Sequence, residues 1–539
     1  MAFRILLLFC FAIFPAIFAQ IFEEGKIIID TSAKIAETDD HYICATIDLW
    51  PPHKCNYNRC PWGSSSAINL NLSHPFLNNA IKAFKNLRLR FGGSLQDQVV
   101  YDVGKLTPPC HPFKKQKGGL FGFSKGCLLM NRWDELNKFF NRTGVIVTFG
   151  LNALYGRHHI QNNAWGGSWD SSNAHDFIRY TLSKGYHNHI DSWEFGNELS
   201  GKGIGASVGV EQYGKDVVRL KDMLNELYAN FSQKQVARLM APSGFFDKKW
   251  YGDLLQISGP NVVDIVSYHL YTLGPGNDGN TMIKILNPDH LDKASLRFKN
   301  VTSTIQSNGS WASAWVGESG GAFNNGAPNI SNTFVDSFWY LDQIAMAAKF
   351  QTKVYCRQTL IGGYYGLLDK TTFVPNPDYY SALLWHRLMG KAVLSVNSNS
   401  SRYLRVYAHC AKKRPGIAVL LINLSNQTTY NVDVQSDETK KRTRAKKNNS
   451  ITGRFKQSVS WVGNKASDEL YRAEYQLTPE NGNLTSQVML LNGQPLKLTK
   501  NGDIPSLVPS LVKMGSNLTI SPLSIKFVVY QNFWSIGCE

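Results

Sequence analysis

From about residue 42 to residue 391 the chain alternates short β-rich runs with amphipathic helical stretches, and every β-rich run ends on polar residues. Read by hydrophobic periodicity, the runs are Ile43–Asp48, Leu87–Phe91, Val145–Leu151, Asp191–Asn197, Arg238–Pro242, Val262–Tyr271, Ala312–Glu318 and Val354–Thr359. Helical patterns lie between them, among others Ser73–Asn86, Ser171–Lys184, Glu211–Asn230 and Asn332–Phe350. The stretch from Ser171 places Phe177, Ile178 and Leu182 on one face behind a serine cap. Strand–crossover units in this number predict an α/β chain folded as a (β/α)8 TIM barrel. An open doubly wound sheet competes, but it would gather its polar residues at one switch point. Here they end every strand: Asp48, Ser94, Asn152, Asn197-Glu198, Ser243, Tyr271, Glu318 and Gln358. A barrel active site sits at that end.

After residue 391 the pattern becomes short alternating strands punctuated by Gly, Pro and Asn. The expected strands are Tyr403–His409, Ile417–Asn423, Asn431–Val434, Glu474–Thr478, Val488–Leu491 and Ser524–Gln531, which read as a β-sandwich. Gly25–Thr31 precedes the barrel and can add a strand to that sandwich. The expected organisation is therefore a leader over 1–19, an N-terminal strand segment over 20–41, a barrel over 42–391 and a β-sandwich domain over 392–539.

The first nineteen residues read as a secretory signal: Arg4, an apolar run from Ile5 to Phe18, then Ala19. No later stretch is apolar enough to span a membrane, and no lipid-anchor tail ends the chain. Eight cysteines follow the leader, an even number that permits disulfides. Cys55/Cys60 and Cys110/Cys127 are local pairs, and Cys410/Cys538 can tie down the chain end. None has zinc-site spacing, so no metal is expected. Glycosylation sequons are dense: Asn71, Asn141, Asn230, Asn300, Asn308, Asn329, Asn423, Asn483 and Asn517. The formal net charge of +17 favours acidic polysaccharides as partners, or simply keeps a wall-resident protein soluble. The run Lys440–Lys447 reads as a solvated loop, and a secreted, glycosylated chain argues against nucleic acid. The expectation is a monomer that is extracellular, in the cell wall, with vacuole or lysosome as the alternative compartment. It spans no membrane, although peripheral association with membrane or wall is compatible with it.

Two strand ends carry the chemistry. Hydrolysis of a glycosidic bond with retention needs one carboxyl to protonate the leaving oxygen and another to attack the anomeric carbon, roughly 5 Å apart. Trp193-Glu-Phe-Gly-Asn-Glu198 ends strand four and Trp315-Val-Gly-Glu318 ends strand seven. Glu198 is the expected acid/base and Glu318 the expected nucleophile. Either motif alone occurs by chance; together, at these strand positions, they select catalysis. Asn197 is placed to bond a sugar hydroxyl. Glu194, two levels deeper by strand alternation, reads as a supporting carboxylate. Tyr271 is placed to hold Glu318 ionised. His269 reads as a buried structural or supporting group. Asp48 and Gln358 can bind sugar hydroxyls. The turn Gly362-Gly363-Tyr364-Tyr365 can offer backbone N–H groups to a carboxylate. Protons and a carboxylate suffice for this chemistry, so no cofactor is expected.

These motifs resemble glycoside hydrolase family 79, the heparanase-like family, and its plant members in particular. The likeness covers nearly the whole chain after the leader. It is carried by Leu89-Arg-Phe-Gly-Gly93, Phe149-Gly-Leu-Asn-Ala153, Trp169-Asp-Ser-Ser-Asn-Ala174, Ser192 to Gly201, Trp315 to Gly321 and Arg357-Gln358. The resemblance implies a barrel flanked by a β-sandwich and retaining cleavage of β-linked glucuronic acid. It implies an acid/base at Glu198, a nucleophile at Glu318, and sugar contacts at Asp48, Asn197, Tyr271 and Gln358. It further implies a uronate carboxylate held by the turn at Gly362, Gly363, Tyr364 and Tyr365, and a Cys410–Cys538 disulfide. Animal members are excised around a linker. The matching segment here, residues 105–129, is short and contains Cys110 and Cys127, which look able to pair. Retention of that segment favours exo-action on a terminal glucuronate, on arabinogalactan side chains or small glucuronides. The alternatives are a heparanase-type endo-enzyme, a neutral-sugar glycosidase of the same clan, and a non-catalytic polysaccharide-binding protein.

Overall fold

The fold comes from a computed structural model that describes residues 21–231, 233, 235–437, 470–531, 533 and 535–538. The leader over 1–19 and the basic run Lys440–Lys447 lie outside the described residues.

Eight parallel strands close into a barrel: Ile43–Asp48, Arg88–Gly92, Ile146–Leu151, Ile190–Phe195, Arg238–Phe245, Ile265–His269, Ser313–Ser319 and Thr352–Arg357. They pair in chain order, and the eighth pairs with the first. A helix follows each: Pro75–Lys82, Met130–Thr143, Ser172–Ser183, Val210–Asn230, Lys248–Ser258, Ala294–Asn308, Asp336–Lys349 and Pro377–Leu388. Local chemistry sets their ends. Pro75 opens the first helix, a position where its missing N–H costs nothing. Lys85 and Asn86 then take left-handed backbone, so that helix stops short of the expected Asn86. Gly144 closes the second helix in the left-handed region. Asp247 caps the fifth by accepting from the Trp250 N–H at 3.0 Å.

Three expected strands run too long, and all three misses fall at the site; strand eight ends at Arg357 rather than Thr359. Strand four ends at Phe195 rather than Asn197, because Gly196 and Glu198 adopt positive φ. Strand six ends at His269 rather than Tyr271.

The last barrel helix passes directly into the strand Met389–Ser398, which periodicity missed together with Ser510–Lys513 and Leu518–Ile520. An eleven-stranded, mostly antiparallel sheet forms here. The N-terminal strand, Ile21–Glu37, is longer than the expected Gly25–Thr31. It pairs antiparallel with Met389–Ser398 and parallel with Thr428–Ser436. Tyr430 and Val432 share one apolar cluster with Val419, Leu421 and Val528, although their strand lies four places from Ile417–Asn423 in the sheet. The sheet therefore folds over on itself into the expected sandwich. Alternation gives its other face to the barrel: Ala418, Leu420, Ile422, Phe527 and Val529 join the main core with Trp385 and Leu388. Arg405 and Tyr407 add polar ties by donating to Asp342 of the seventh helix at 2.8 and 2.6 Å.

Four disulfides are present: Cys44–Cys356, Cys55–Cys60, Cys110–Cys127 and Cys410–Cys538. The first joins in-register residues of strands one and eight, where the barrel closes. One sequon departs from expectation. Asn423 is fully buried, and its amide donates to the carbonyls of Thr428 and Ser521 at 2.8 and 2.9 Å. A glycan there would have to replace both bonds, so Asn423 serves as a structural residue. The other eight asparagines named above are exposed or half-exposed. Among the described residues no helix is long and apolar enough to cross a membrane.

Candidate active site

The barrel interior is layered, and its polarity rises toward the open end. At the bottom Cys44–Cys356, Met240, Ile265, Trp315 and Val354 pack together, with the Arg88 guanidinium 4.6 Å from the centre of the Trp315 ring. One level up, period-two alternation points Arg90 and Glu194 at each other. Arg90 donates through Nε and Nη2 to both Glu194 oxygens at 2.6 and 2.5 Å. The same guanidinium donates to Glu318 Oε2 and to Asn197 Oδ1, each at 2.8 Å. It is fully buried, and these carboxylates keep it firmly charged: burial pulls its pKa down, and Glu194 and then Glu318 more than restore it.

The top level holds the carboxyls singled out from sequence. Glu198 sits on a turn that left strand four, with φ at 58°, and its N–H donates to the Ser243 carbonyl at 2.7 Å. Gly196 permits that turn; it has positive φ, and a Cβ there would lie 2.8 Å from Leu199 and 2.9 Å from Ala153. Asp97, buried behind the turn, accepts from the N–H groups of Ala153 and Asn197, each at 2.7 Å. His269 Nδ1 lies 2.9 Å from Glu198 Oε1. Tyr271 donates to Glu318 Oε1 at 2.6 Å. Oxygens of Glu198 and Glu318 approach within 4.8 Å of each other.

Environment separates the two carboxyls. Burial raises Glu198, and the nearby Glu318 charge adds to the rise; His269 and Arg90 oppose it without reversing it. Burial would also raise Glu318, but His269, Arg90 and the Tyr271 hydroxyl outweigh it and hold that carboxyl below its usual range. Glu198 therefore keeps its proton at a pH where Glu318 has lost its own. Asp48 is pushed up to about 8 by burial and then by Glu318.

These groups line a pocket of about 290 Å³. Asp48, Glu198, Tyr271, Glu318, Gln358 and Tyr365 all face it. Gln358 donates to Asp48 Oδ2 at 2.9 Å and to the Tyr365 hydroxyl at 3.3 Å. Asp48 Oδ1 is buried without a partner, which leaves it free for a sugar hydroxyl. Asn197 lies beneath the pocket wall, tied to Arg90. The turn after strand eight is closely packed. Gly362 packs on Trp62, Gly363 on Tyr365, and the Tyr364 N–H is taken by the Asn325 carbonyl at 2.6 Å. Tyr364 lies against Lys370, so Tyr365 alone of the four reaches the pocket. Gly317 and Gly320 likewise make room for protein rather than sugar. A Cβ on Gly317 would lie 2.1 Å from Ser267 Oγ, and one on Gly320 would meet Gln358, Tyr365 and Tyr271.

The sequence reading missed Arg90 and Asp97. Arg88 and Arg90 alternate inward on a barrel strand, and a buried guanidinium demands carboxylates, so that signal was available. Asp97 gave none, because its partners are backbone groups. Asp97→Asn puts an amide donor against one of those N–H groups and loosens the Glu198 turn. The expected result is a kcat about tenfold or more lower on an aryl glycoside with KM little changed; an unchanged kcat would remove Asp97 from this account.

The comparisons with known proteins decide the family. The sequence profile described as "Glycosyl hydrolase family 79, N-terminal domain" matches residues 24–345. The chain belongs to glycosyl hydrolase family 79. This family 79 chain is 57% identical to Heparanase-like protein 1 of Arabidopsis thaliana, over 97% of its own length and 96% of the relative's. It is 38% identical to the Baicalin-beta-D-glucuronidase of Scutellaria baicalensis, with 96% and 95% of the two chains covered. The solved 4-O-alpha-L-rhamnosyl-beta-D-glucuronidase of Fusarium oxysporum 12S shares the fold, with a TM-score of 0.60, 14% identity, and 94% and 100% of the two chains covered. The family 79 protein is a glycoside hydrolase.

Proposed function

We propose that this enzyme is a retaining β-glucuronidase that removes terminal β-linked glucuronic acid from acidic glycans, such as arabinogalactan side chains, or from small glucuronides. Glu318 attacks the anomeric carbon while Glu198 protonates the departing oxygen. Water, deprotonated by Glu198, then releases the sugar from Glu318. The observation that carries the reading is the carboxyl pair: oxygens within 4.8 Å, one pKa pushed up and the other down. A separation near 5 Å fits a covalent intermediate; an inverting pair stands wider, to admit water. Asp48, Gln358, Tyr365 and Tyr271 would hold the sugar, and Arg90 would fix the nucleophile from below.

Exo-action draws support from the segment held by Cys110–Cys127. It sets Phe121 against Trp50, ring centres 5.8 Å apart, and both line the pocket. That aromatic wall closes one side of the sugar site. The disulfides suit an oxidising compartment, in keeping with secretion to the wall.

The test is aryl release from matched β-glucuronide, β-glucoside and β-xyloside at mildly acidic pH. Turnover of the glucuronide alone is expected. Turnover of a neutral glycoside in its place would keep the carboxyl pair and overturn the substrate.

A further inference from the structure

We propose that the leaving group this enzyme prefers is a flat, apolar aromatic alcohol, held at the mouth of the catalytic pocket by Phe245 and Phe323. The proposal rests on the glucuronidase reading above and, within it, selects small glucuronides over glycan side chains. Glu198 protonates the oxygen that departs, so the group that oxygen carries must lie beside Glu198. In the closed barrel, strands four and five stand opposite strands eight and one. Asp48 and Gln358 follow strands one and eight and offer polar atoms to the sugar. Glu198 follows strand four and Phe245 ends strand five, so the departing group faces the other wall.

That wall is apolar. Ile204, whose N–H donates to the Glu198 carbonyl at 3.0 Å, is 45% exposed and lines the pocket. Phe245 is 40% exposed and its ring centre lies 6.3 Å from that of Tyr271. Phe323 is 38% exposed and stands edge-on to Tyr271, with ring centres 6.5 Å apart. Both phenylalanines line the same pocket. The polar neighbour Asn324 turns away, its Nδ2 donating to the Tyr57 hydroxyl at 2.9 Å. Large apolar side chains exposed singly on a surface are ordinary; three around one pocket mouth mark an apolar ligand. A sugar unit set among them would find few partners for its hydroxyls, whereas a flat ring covers apolar area at no such cost.

Both rings stand on fixed backbone. Phe245 pairs in register with His269, and its carbonyl accepts from Ser200 Oγ at 3.3 Å. Phe323 belongs to the two-residue strand Ala322–Phe323, which pairs with Gly274–Pro275, and its carbonyl accepts the Gly276 N–H at 2.8 Å. A ligand that covers them therefore pays little to order the loops beneath.

The experiment compares three β-glucuronides whose departing oxygen belongs to a primary alcohol of similar acidity: the 2-naphthylmethyl glucuronide, the methyl glucuronide, and glucuronic acid linked to O6 of galactose. Differences in kcat/KM then report contacts to the leaving group rather than its chemistry. Wild type should favour the naphthylmethyl compound over the other two by about 10- to 100-fold. In the double variant Phe245→Ala/Phe323→Ala the naphthylmethyl-to-methyl ratio should collapse about 10-fold or more, and Phe245→Tyr/Phe323→Tyr should retain most of it. Free 2-naphthylmethanol should inhibit wild type and inhibit the double alanine variant more weakly, a readout independent of the chemical step. A wild type that favours the galactose compound, a ratio that survives both alanines, or equal losses on all three substrates would overturn the proposal and leave the glucuronidase reading standing. Turnover of 2-naphthylmethyl β-glucoside with none of the three glucuronides cleaved removes both.

Discussion

Glu318→Ala should lower turnover of an aryl glucuronide on the order of 10^4-fold or more, as loss of a covalent nucleophile does elsewhere. The fold should survive, because Arg90 keeps its two bonds to Glu194 and its bond to Asn197. Added azide should restore part of the rate when the leaving group is an activated phenol. In the variant the space under the ring that Glu318 occupied is open, and azide can enter it. The new carbon–nitrogen bond then forms on the face opposite the departing β-linked oxygen, which leaves with the proton from Glu198. The product is the α-glycosyl azide, identified by its anomeric coupling in the proton NMR spectrum. A β-azide, or a variant that turns over like wild type, would take the nucleophile role from Glu318.

The barrel was legible because its signal is repeated. Eight apolar runs with polar ends point to one architecture even when individual strand ends are misplaced by two residues. The carboxyl pair was legible for a related reason: Asn197-Glu198 and Glu318 sit where two particular strands open onto the barrel mouth. The misplaced ends show where periodicity stops working. Strand four ends early since Gly196 and Glu198 leave extended backbone, and a hydrophobic pattern carries no record of a change in φ. The site's supporting residues were harder to read for another reason. Asp97 acts on backbone N–H groups of residues 56 and 100 positions away, which no spacing rule reaches. The glycines after strand eight read from sequence as an anion nest, and in the fold Gly362 and Gly363 also leave room for Trp62 and Tyr365. A glycine reports close approach and not the identity of what approaches. The sandwich was legible from most of its long strands, Met389–Ser398 excepted. Its short strands Ser510–Lys513 and Leu518–Ile520 carry too few alternations to stand out.

Glu198→Gln should separate the two halves of the reaction. With an acidic phenol as leaving group, no proton is needed in the first step, and the glycosyl-enzyme should form and accumulate. With a poor leaving group, kcat/KM should fall about 10²- to 10⁴-fold, the usual contribution of a positioned general acid. The pH profile gives the second signature. Activity needs Glu318 ionised and Glu198 protonated. The rising limb therefore follows Glu318, which lies below its usual range, and the falling limb follows Glu198, which lies above it. The wild-type optimum is accordingly acidic, between the two. In Glu198→Gln the proton that the falling limb titrates is gone. For the acidic phenol that limb should flatten, while the rising limb stays in place because Glu318 keeps its bonds from Arg90 and Tyr271. Azide then attacks the glycosyl-enzyme from the face Glu198 would have served, giving the β-glycosyl azide, the mirror of the outcome at Glu318. A falling limb that persists in Glu198→Gln would place the titrating proton elsewhere, with Asp48, pushed up to about 8, as the next group to replace.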